Sequence, residues 1–483
     1  MIGSISSEMI LAILPEIVLL ALVAVIFVVD LVVSDERRGM LATITAVGLL
    51  LTLVLTALFS RPGPEAVLLW GGMLRHDWLA FIFKIIFLVG ALLTTIFTIG
   101  WEPIWRKGEF YVLLLTSTIG MTLVGASGDL IMLFLAIETT SIPLYVMAGF
   151  LTRDDKSNEA GFKYLLFGAM MTAVMLYGFS LLYGFTGTTN IYELTTAIGA
   201  GEIPAAVLVG AAVLVLIGFG FKVAMAPLHF WAPDVYEGAP TPVTAFLSTA
   251  SKAAGFAALT RVMVAAFPSI TLEWTTLVAI GAALSMTLGN LIALSQTNIK
   301  RLLAYSSVAH AGYALLGVAA ASELGVASVV YYFLVYVVTN MAAFGAIIVV
   351  YRVVGSDEIA DYAGLHRRQP LLGLVLLLAF LSLAGIPPMG GFFAKILVFA
   401  AAVEAGLIWL AVLGVLNAII GLYYYLIVLK VMYVGESKDA DKPLPVLRPH
   451  SAGLVVSVVA LLVLGFVFGP FYQWAVSSAS ALF

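Results

Sequence analysis

The chain has no cysteine among its 483 residues, which excludes disulfides, thiolate-bound zinc and cysteine-held iron–sulfur clusters. Charge is scarce: 10% of residues are Asp, Glu, Lys or Arg, against about 25% in a soluble domain. The net charge of −4 comes without a basic tail, so nucleic acid is not an expected partner. No Walker loop or dinucleotide-binding glycine fingerprint occurs. The histidines, at 76, 229, 310, 366 and 450, are scattered without haem- or zinc-ligand spacing. No cofactor or redox centre is therefore expected in this chain. The first apolar run has no basic segment before it and reads as a retained span, not a cleaved signal.

What the chain has in abundance is apolar length, at 62% hydrophobic residues. A helix needs about 20 apolar residues to cross the hydrocarbon of a bilayer. On that measure there are 14 candidate spans, at 9–33, 41–60, 78–99, 110–127, 129–151, 159–185, 204–226, 240–267, 274–296, 301–320, 326–351, 370–402, 407–433 and 451–474. The expected fold is an all-α polytopic membrane protein. Loop charge supports the count. Arg37, Arg38, Arg106, Lys107, Arg153, Lys156, Lys300, Arg301, Arg352, Arg367, Arg368, Lys438, Lys442 and Arg448 all fall in alternate loops, and the other loops hold only Arg61 and Arg75. The positive-inside rule makes the first set cytoplasmic and puts both termini outside.

Lys163, Lys222, Lys252 and Lys395 lie inside apolar spans. A charged side chain at the bilayer centre costs roughly 2.5–3.5 kcal/mol even on a lenient scale, and a desolvated lysine can give up its proton. Lys252 is about 18 Å along its helix at 1.5 Å per residue, too deep to reach an interface easily. Lys163 is closer to a span end, where an interfacial role competes. Lys84, Arg261 and Lys430 lie near span ends and are expected to snorkel. Asp129, Glu16 and Asp30 likewise read as solvated or interfacial.

The seventh and twelfth spans are interrupted, by Pro227 and Pro233 in one and by Gly385, Pro387, Pro388, Gly390 and Gly391 in the other. Irregular backbone at membrane depth is tolerated where protein or a water-filled cavity satisfies it. Five spans separate the breaks, so the broken helices run in opposite directions. That is the pattern of inverted repeats, whose broken helices line a transport path; ordinary proline kinks are the alternative. The implied organisation is a three-helix addition over 1–100, repeats over 110–267 and 274–433, and a C-terminal span over 451–483.

Glu138 is near the middle of the fifth span and pairs naturally with Lys222, either as a proton switch or as a static ion pair. His310 in the tenth span is placed to relay protons between the halves, or to serve as a hydrogen-bonded core residue. His229 reads as structural. Ser248, Thr249, Ser251, Asn290, Asn340 and Asn417 are candidates to hold connecting waters.

The segment Ala226-Pro-Leu-His-Phe-Trp-Ala-Pro-Asp-Val-Tyr-Glu-Gly-Ala-Pro-Thr-Pro-Val243, with Phe246-Leu-Ser-Thr-Ala-Ser-Lys252 after it, closely resembles the subunit N family of respiratory complex I. These are antiporter-like subunits of the proton-pumping NADH:quinone oxidoreductases. Asn298-Ile-Lys-Arg-Leu-Leu-Ala-Tyr-Ser-Ser-Val-Ala-His310 looks like a segment shared across the antiporter-like superfamily. The short tail after the last span and a lysine, not glutamate, in the twelfth agree with subunit N over its siblings. The resemblance implies that Glu138 and Lys222 are the pair of the first half-channel. It makes Lys163 the lysine beside that pair, Lys252 the connecting lysine and Lys395 the lysine exchanging protons with the outside. It also implies a bacterial inner-membrane location and sibling membrane subunits as partners. NADH, FMN, iron–sulfur clusters and quinone would then belong to partner subunits. A sodium/proton antiporter subunit without redox coupling is the main alternative, and a static membrane scaffold is a third.

Overall fold

The computed structural model describes residues 6–102, 104–200, 203–436 and 443–483. Twelve helices among them are long and apolar enough to cross a membrane: Leu14–Val32, Met40–Phe59, Trp78–Thr98, Gly108–Ala126, Leu130–Ala148, Asp155–Thr186, Ala205–Val223, Pro268–Ala293, Ile299–Ala319, Glu323–Val354, Ile408–Val434 and Arg448–Phe466. Two further crossings are irregular. The eighth runs through Thr241–Phe246, a π-helical turn at Leu247–Ser251, and Lys252–Ala266. The twelfth consists of Pro370–Ala384 and Gly390–Glu404. Fourteen crossings result, and the chain is an all-α polytopic membrane protein.

Both sequence-predicted breaks are present. The seventh span stops at Val223, where Ala224 takes a left-handed conformation (φ 57°), and a short helix, Trp231–Gly238, follows the gap. The twelfth stops at Ala384 with Gly385 left-handed at φ 86°. Gly391 opens the second half so close to Ser382 that an added Cβ would lie 1.9 Å from its carbonyl oxygen. Polar caps set the other boundaries. Asn298 accepts from the amides of Lys300 and Arg301, and Asp129 from those of Ile131 and Met132. Asp129 therefore caps its helix at the span end, where it stays partly exposed.

The tenth and eleventh spans each hold an 18-residue stretch that is 94% buried and form the centre, while the first two are the least buried. Loop contacts respect the alternation seen in the sequence. On one face Lys156 meets Glu237 at 2.8 Å, Arg301 meets Asp234 at 2.9 Å, and Arg352 donates to the Pro445 carbonyl at 2.9 Å. Lys438 and Lys442, assigned to this basic face from the sequence, lie outside the described residues. On the other face Trp70 donates to the Met9 carbonyl at 3.2 Å and Arg75 to the Ala481 carbonyl at 2.6 Å. Both ends of the described chain thus meet the face that is poor in cations. That face also carries a hairpin, Val67–Leu69 against Leu74–His76, and a short helix, Ile191–Ala200, neither expected from hydropathy.

Three expectations are corrected here. Lys84 does not snorkel: it is buried, 2.8 Å from Glu16, and donates to the Ala12 carbonyl at 2.8 Å. Glu16 is correspondingly buried, not solvated. Arg261 is also buried and grips Asp77 with two bonds of 2.7 and 2.9 Å, and it donates further to Tyr192 and to the Gly125 carbonyl. For each cation a carboxylate of another element lies within ion-pair distance and removes any need to reach water. Lys430, by contrast, is exposed at its span end.

Candidate functional site

The two breaks bring polar side chains into the centre of the bundle. Lys222 lies one residue before the end of its helix, and its ammonium donates to Ser141 Oγ at 2.6 Å and to the Tyr145 hydroxyl at 3.3 Å. Beside it is a cavity of about 20 Å³ lined by Thr140, Ser141, Ser251 and Gly255 among others, enough for about one water. Lys252 begins the regular helix that follows the π-helical turn, a distortion often found at functional positions. Its ammonium is buried and donates to the carbonyl and the hydroxyl of Ser307, at 2.7 and 2.9 Å.

Ser306, the neighbour of Ser307, continues the polar line. Its hydroxyl is 2.5 Å from the Tyr425 hydroxyl, which is 3.3 Å from His310 Nε2. His310 Nδ1 is in turn 2.5 Å from the Tyr332 hydroxyl. A second cavity, of about 10 Å³, touches His310, Tyr332, Tyr336, Thr339, Ser382 and Gly391. Lys395 lies past the second break, donating to the Ala384 carbonyl at 3.0 Å with its ammonium 4.7 Å from the centre of the Tyr313 ring. Ala384 is the last residue of the first half-helix, so Lys395 satisfies a carbonyl that the break exposes. Tyr313 is itself held by Asn290, which also accepts from Tyr424.

The structure does not close the expected Glu138–Lys222 pair. Among the described residues no carboxylate lies within 4 Å of Lys222. Glu138 is half-buried, and its Oε1 is sealed from solvent without a hydrogen-bond partner. Lys163 stands apart from the central line, 2.6 Å from Glu159 and 2.5 Å from Asp234 at the basic face. Of the water-holding candidates, Ser248 and Thr249 bond the Ala245 carbonyl of their own helix, and Asn340 bonds the Tyr336 carbonyl. Asn290 and Asn417 reach across to side chains of other residues, Asn417 to Thr287 at 3.4 Å, and Ser251 lies beside the Tyr164 hydroxyl. The sequence did not single out Tyr313, Tyr332 and Tyr425. Their signal is present, since aromatic hydroxyls within apolar spans require buried partners.

One contrast organises these groups. Among the described residues, the buried cations Lys84, Arg261 and Lys300 each have a carboxylate within 4 Å. The ammonium groups of Lys222, Lys252 and Lys395 have only hydroxyls, carbonyls and an aromatic face. Each of these three can lose its proton without stranding a buried negative charge.

Comparison with known proteins places this geometry. Residues 127–421 match the NADH:quinone oxidoreductase/Mrp antiporter transmembrane family. The chain is 46% identical to NADH-quinone oxidoreductase subunit N of Moorella thermoacetica, over 94% of each chain. It is 41% identical to NAD(P)H-quinone oxidoreductase subunit 2 of Nostoc punctiforme, over 97% of this chain and 90% of that one. Among solved structures it is similar to a chain of respiratory complex I from Thermus thermophilus, at TM-score 0.81 and 34% identity, covering 95% and 98% of the two chains. A chain of the Mrp complex from a Dietzia species shares the fold at TM-score 0.87 but only 22% identity, covering 99% of this chain and 98% of that one. The chain belongs to the NADH-quinone oxidoreductase subunit N family, the proton-translocating, antiporter-like membrane subunits of complex I.

Proposed function

We propose that protons cross this subunit along the line Lys222, Lys252, His310 and Lys395, with Glu138 and Lys163 at its approaches. The observation that supports this reading most is the contrast in counter-ions: the three lysines of the line have neutral partners, whereas the buried cations off it are ion-paired. A fixed ion pair holds its charge, while a lysine bound to hydroxyls and carbonyls is free to alternate between ammonium and amine. The hydroxyls of Ser306, Tyr425 and Tyr332 donate or accept as His310 changes state. Water in the two small cavities would connect the segments that side chains leave open.

Residues 110–267 and 274–433 are proposed as two inverted repeats, each contributing one broken helix, with 1–100 and 451–483 as additions. The basic face is proposed as cytoplasmic on the inner membrane of a bacterium, with both termini outside. Lys163, ion-paired with Glu159 and Asp234 at that face, would gather protons toward Lys222. Glu138 would exchange with Lys222 when the helices shift, each biasing the other's charge. Sibling antiporter-like subunits are the proposed neighbours in the membrane, and NADH, FMN, iron–sulfur clusters and quinone are assigned to partner subunits. Moving one charge against ~100 mV takes about 2.3 kcal/mol, so translocation must draw on quinone reduction in those partners.

The test is Lys252→Met against Lys252→Arg in the assembled complex reconstituted in sealed vesicles. Lys252→Met should assemble yet lose coupled proton uptake, because methionine fills the volume without carrying a proton. Lys252→Arg should also fail, since arginine does not release its proton. Normal pumping by either variant would reject the line.

A further inference from the structure

The basic face carries a polar vestibule that the central line does not use. Its cavity of about 230 Å³ is lined by Asp154, Lys156, Glu237, Lys300, Asp357 and Glu358 among others. That is room for roughly seven waters at about 30 Å³ each. Its charged lining holds four carboxylates and two lysines, so it is acidic although it opens on the cation-rich face. The floor is built rigidly. Asn298 caps the tenth span, the Ile299 amide donates to the Asp357 carbonyl at 2.8 Å, and the Ile359 amide donates to the Thr297 carbonyl at 2.8 Å. These bonds pin Asp357 against Lys300, whose ammonium is 3.6 Å from Asp357 Oδ2 and donates to the Ala239 carbonyl at 2.9 Å. Asp357 Oδ1 is sealed from solvent and has no hydrogen-bond partner.

From this floor the fold leads inward. Lys300 and Ser307 lie two turns apart on the same side of the tenth span, about 10 Å along its axis. Ser307 is the residue that holds Lys252. Tyr236 follows directly from the vestibule wall, one residue before Glu237, and its hydroxyl lies beside Ser307, as does that of Tyr336. Neither hydroxyl completes a hydrogen bond, so both are free to turn toward a proton donor.

We infer that this vestibule collects protons at the basic face and that Asp357, positioned by Lys300, passes them, by way of Tyr236 and Ser307, to Lys252. The uptake route is separate from the one that reaches Lys222 past Lys163. Asp357 is suited to the task. It lies in a loop outside the spans, and burial pushes its carboxyl up from the ordinary value, with Lys300 pulling the other way. The groups facing it are Lys300 from the tenth span, Glu237 from the short helix at 231–238, Lys156 from the sixth span, and Asp154 and Glu358 of the same lining, with Tyr351 and Tyr362 from its own flanks. The facing charges are mixed, so loss of Asp357 removes a proton acceptor without leaving the site uniformly charged.

The inference rests on the proposed role of Lys252, and the test separates the two. Coupled proton uptake by the assembled complex in sealed vesicles is followed from acidic to alkaline pH for wild type, Asp357→Asn, Asp357→Glu, Lys300→Gln and Lys252→Met. Asp357→Asn should lose uptake several-fold at alkaline pH, where protons are scarce, and approach wild type at acidic pH. Asp357→Glu should restore the wild-type profile. If Asp357→Asn assembles poorly, the same series on Lys300→Gln decides, because it keeps the Asp357 carboxyl but removes the cation that positions it, and the same alkaline loss is expected. A profile parallel to wild type at every pH, while Lys252→Met abolishes uptake, overturns the vestibule route alone. Normal uptake by Lys252→Met overturns the central line and the vestibule route together.

Discussion

Replacing Arg261 by methionine breaks an ion pair buried almost completely in the bundle. Arg261 and Asp77 have side chains that are 1% and 0% exposed. Two bonds join them, and Arg261 also donates to Tyr192 and to the Gly125 carbonyl. Methionine keeps most of the volume but strands Asp77, whose remaining partners are the Ala80 amide at 2.8 Å and Arg75 Nε at 3.2 Å. Removing one partner of a buried pair typically costs about 3–5 kcal/mol. The residual contact with Arg75 puts Arg261→Met toward the lower end, about 3 kcal/mol. Adding Asp77→Asn removes the stranded charge, so the double variant should be about 1–3 kcal/mol more stable than the sum of the single effects. The assay is heat-induced loss of this subunit from the purified complex for the wild type, both singles and the double. Additive single effects, or an Arg261→Met variant as stable as wild type, would refute the reasoning.

Three further outcomes are expected. Lys84→Met should weaken assembly by stranding Glu16 but leave proton uptake per assembled complex unchanged, and Lys84→Met/Glu16→Gln should recover assembly; loss of uptake in the assembled double variant would put that pair on the proton path. Gly391→Ala should prevent assembly or stop turnover, since its Cβ would meet the Ser382 carbonyl oxygen at 1.9 Å, whereas Gly210→Ala, with nothing within 4 Å, should be silent in both measurements. His310→Phe should keep the aromatic volume but break the contacts to Tyr332 and Tyr425, so assembly persists while coupled uptake falls; unchanged uptake would reduce His310 to a core residue.

The sequence reveals depth along each helix well and facing poorly. Apolar length and loop charge gave the crossings, and Pro227 and Pro387 gave the breaks, because these signals are local. Glu16 and Lys84 lie six to seven residues into their spans from the same face, and Asp77 and Arg261 share that face. Matching opposite charges near one face would have offered these pairs, whereas treating each residue alone made snorkelling the natural reading. Depth also suggested Glu138 with Lys222, which are not in ion-pair contact although Glu138 shares the helix face that holds Lys222. Lys222 instead meets Ser141 and Tyr145, three and seven residues beyond Glu138 on the same helix. The π-helical turn before Lys252 has no mark in hydropathy, because it changes hydrogen-bond register and not composition.

The most direct measurement follows quinone reduction and proton uptake together in sealed vesicles holding the assembled complex, wild type against Lys222→Ala. The account predicts intact assembly with both rates collapsing, since a coupled pump cannot turn over when its proton line is cut. Wild-type rates of both processes in Lys222→Ala would make this lysine structural and contradict the proposed path.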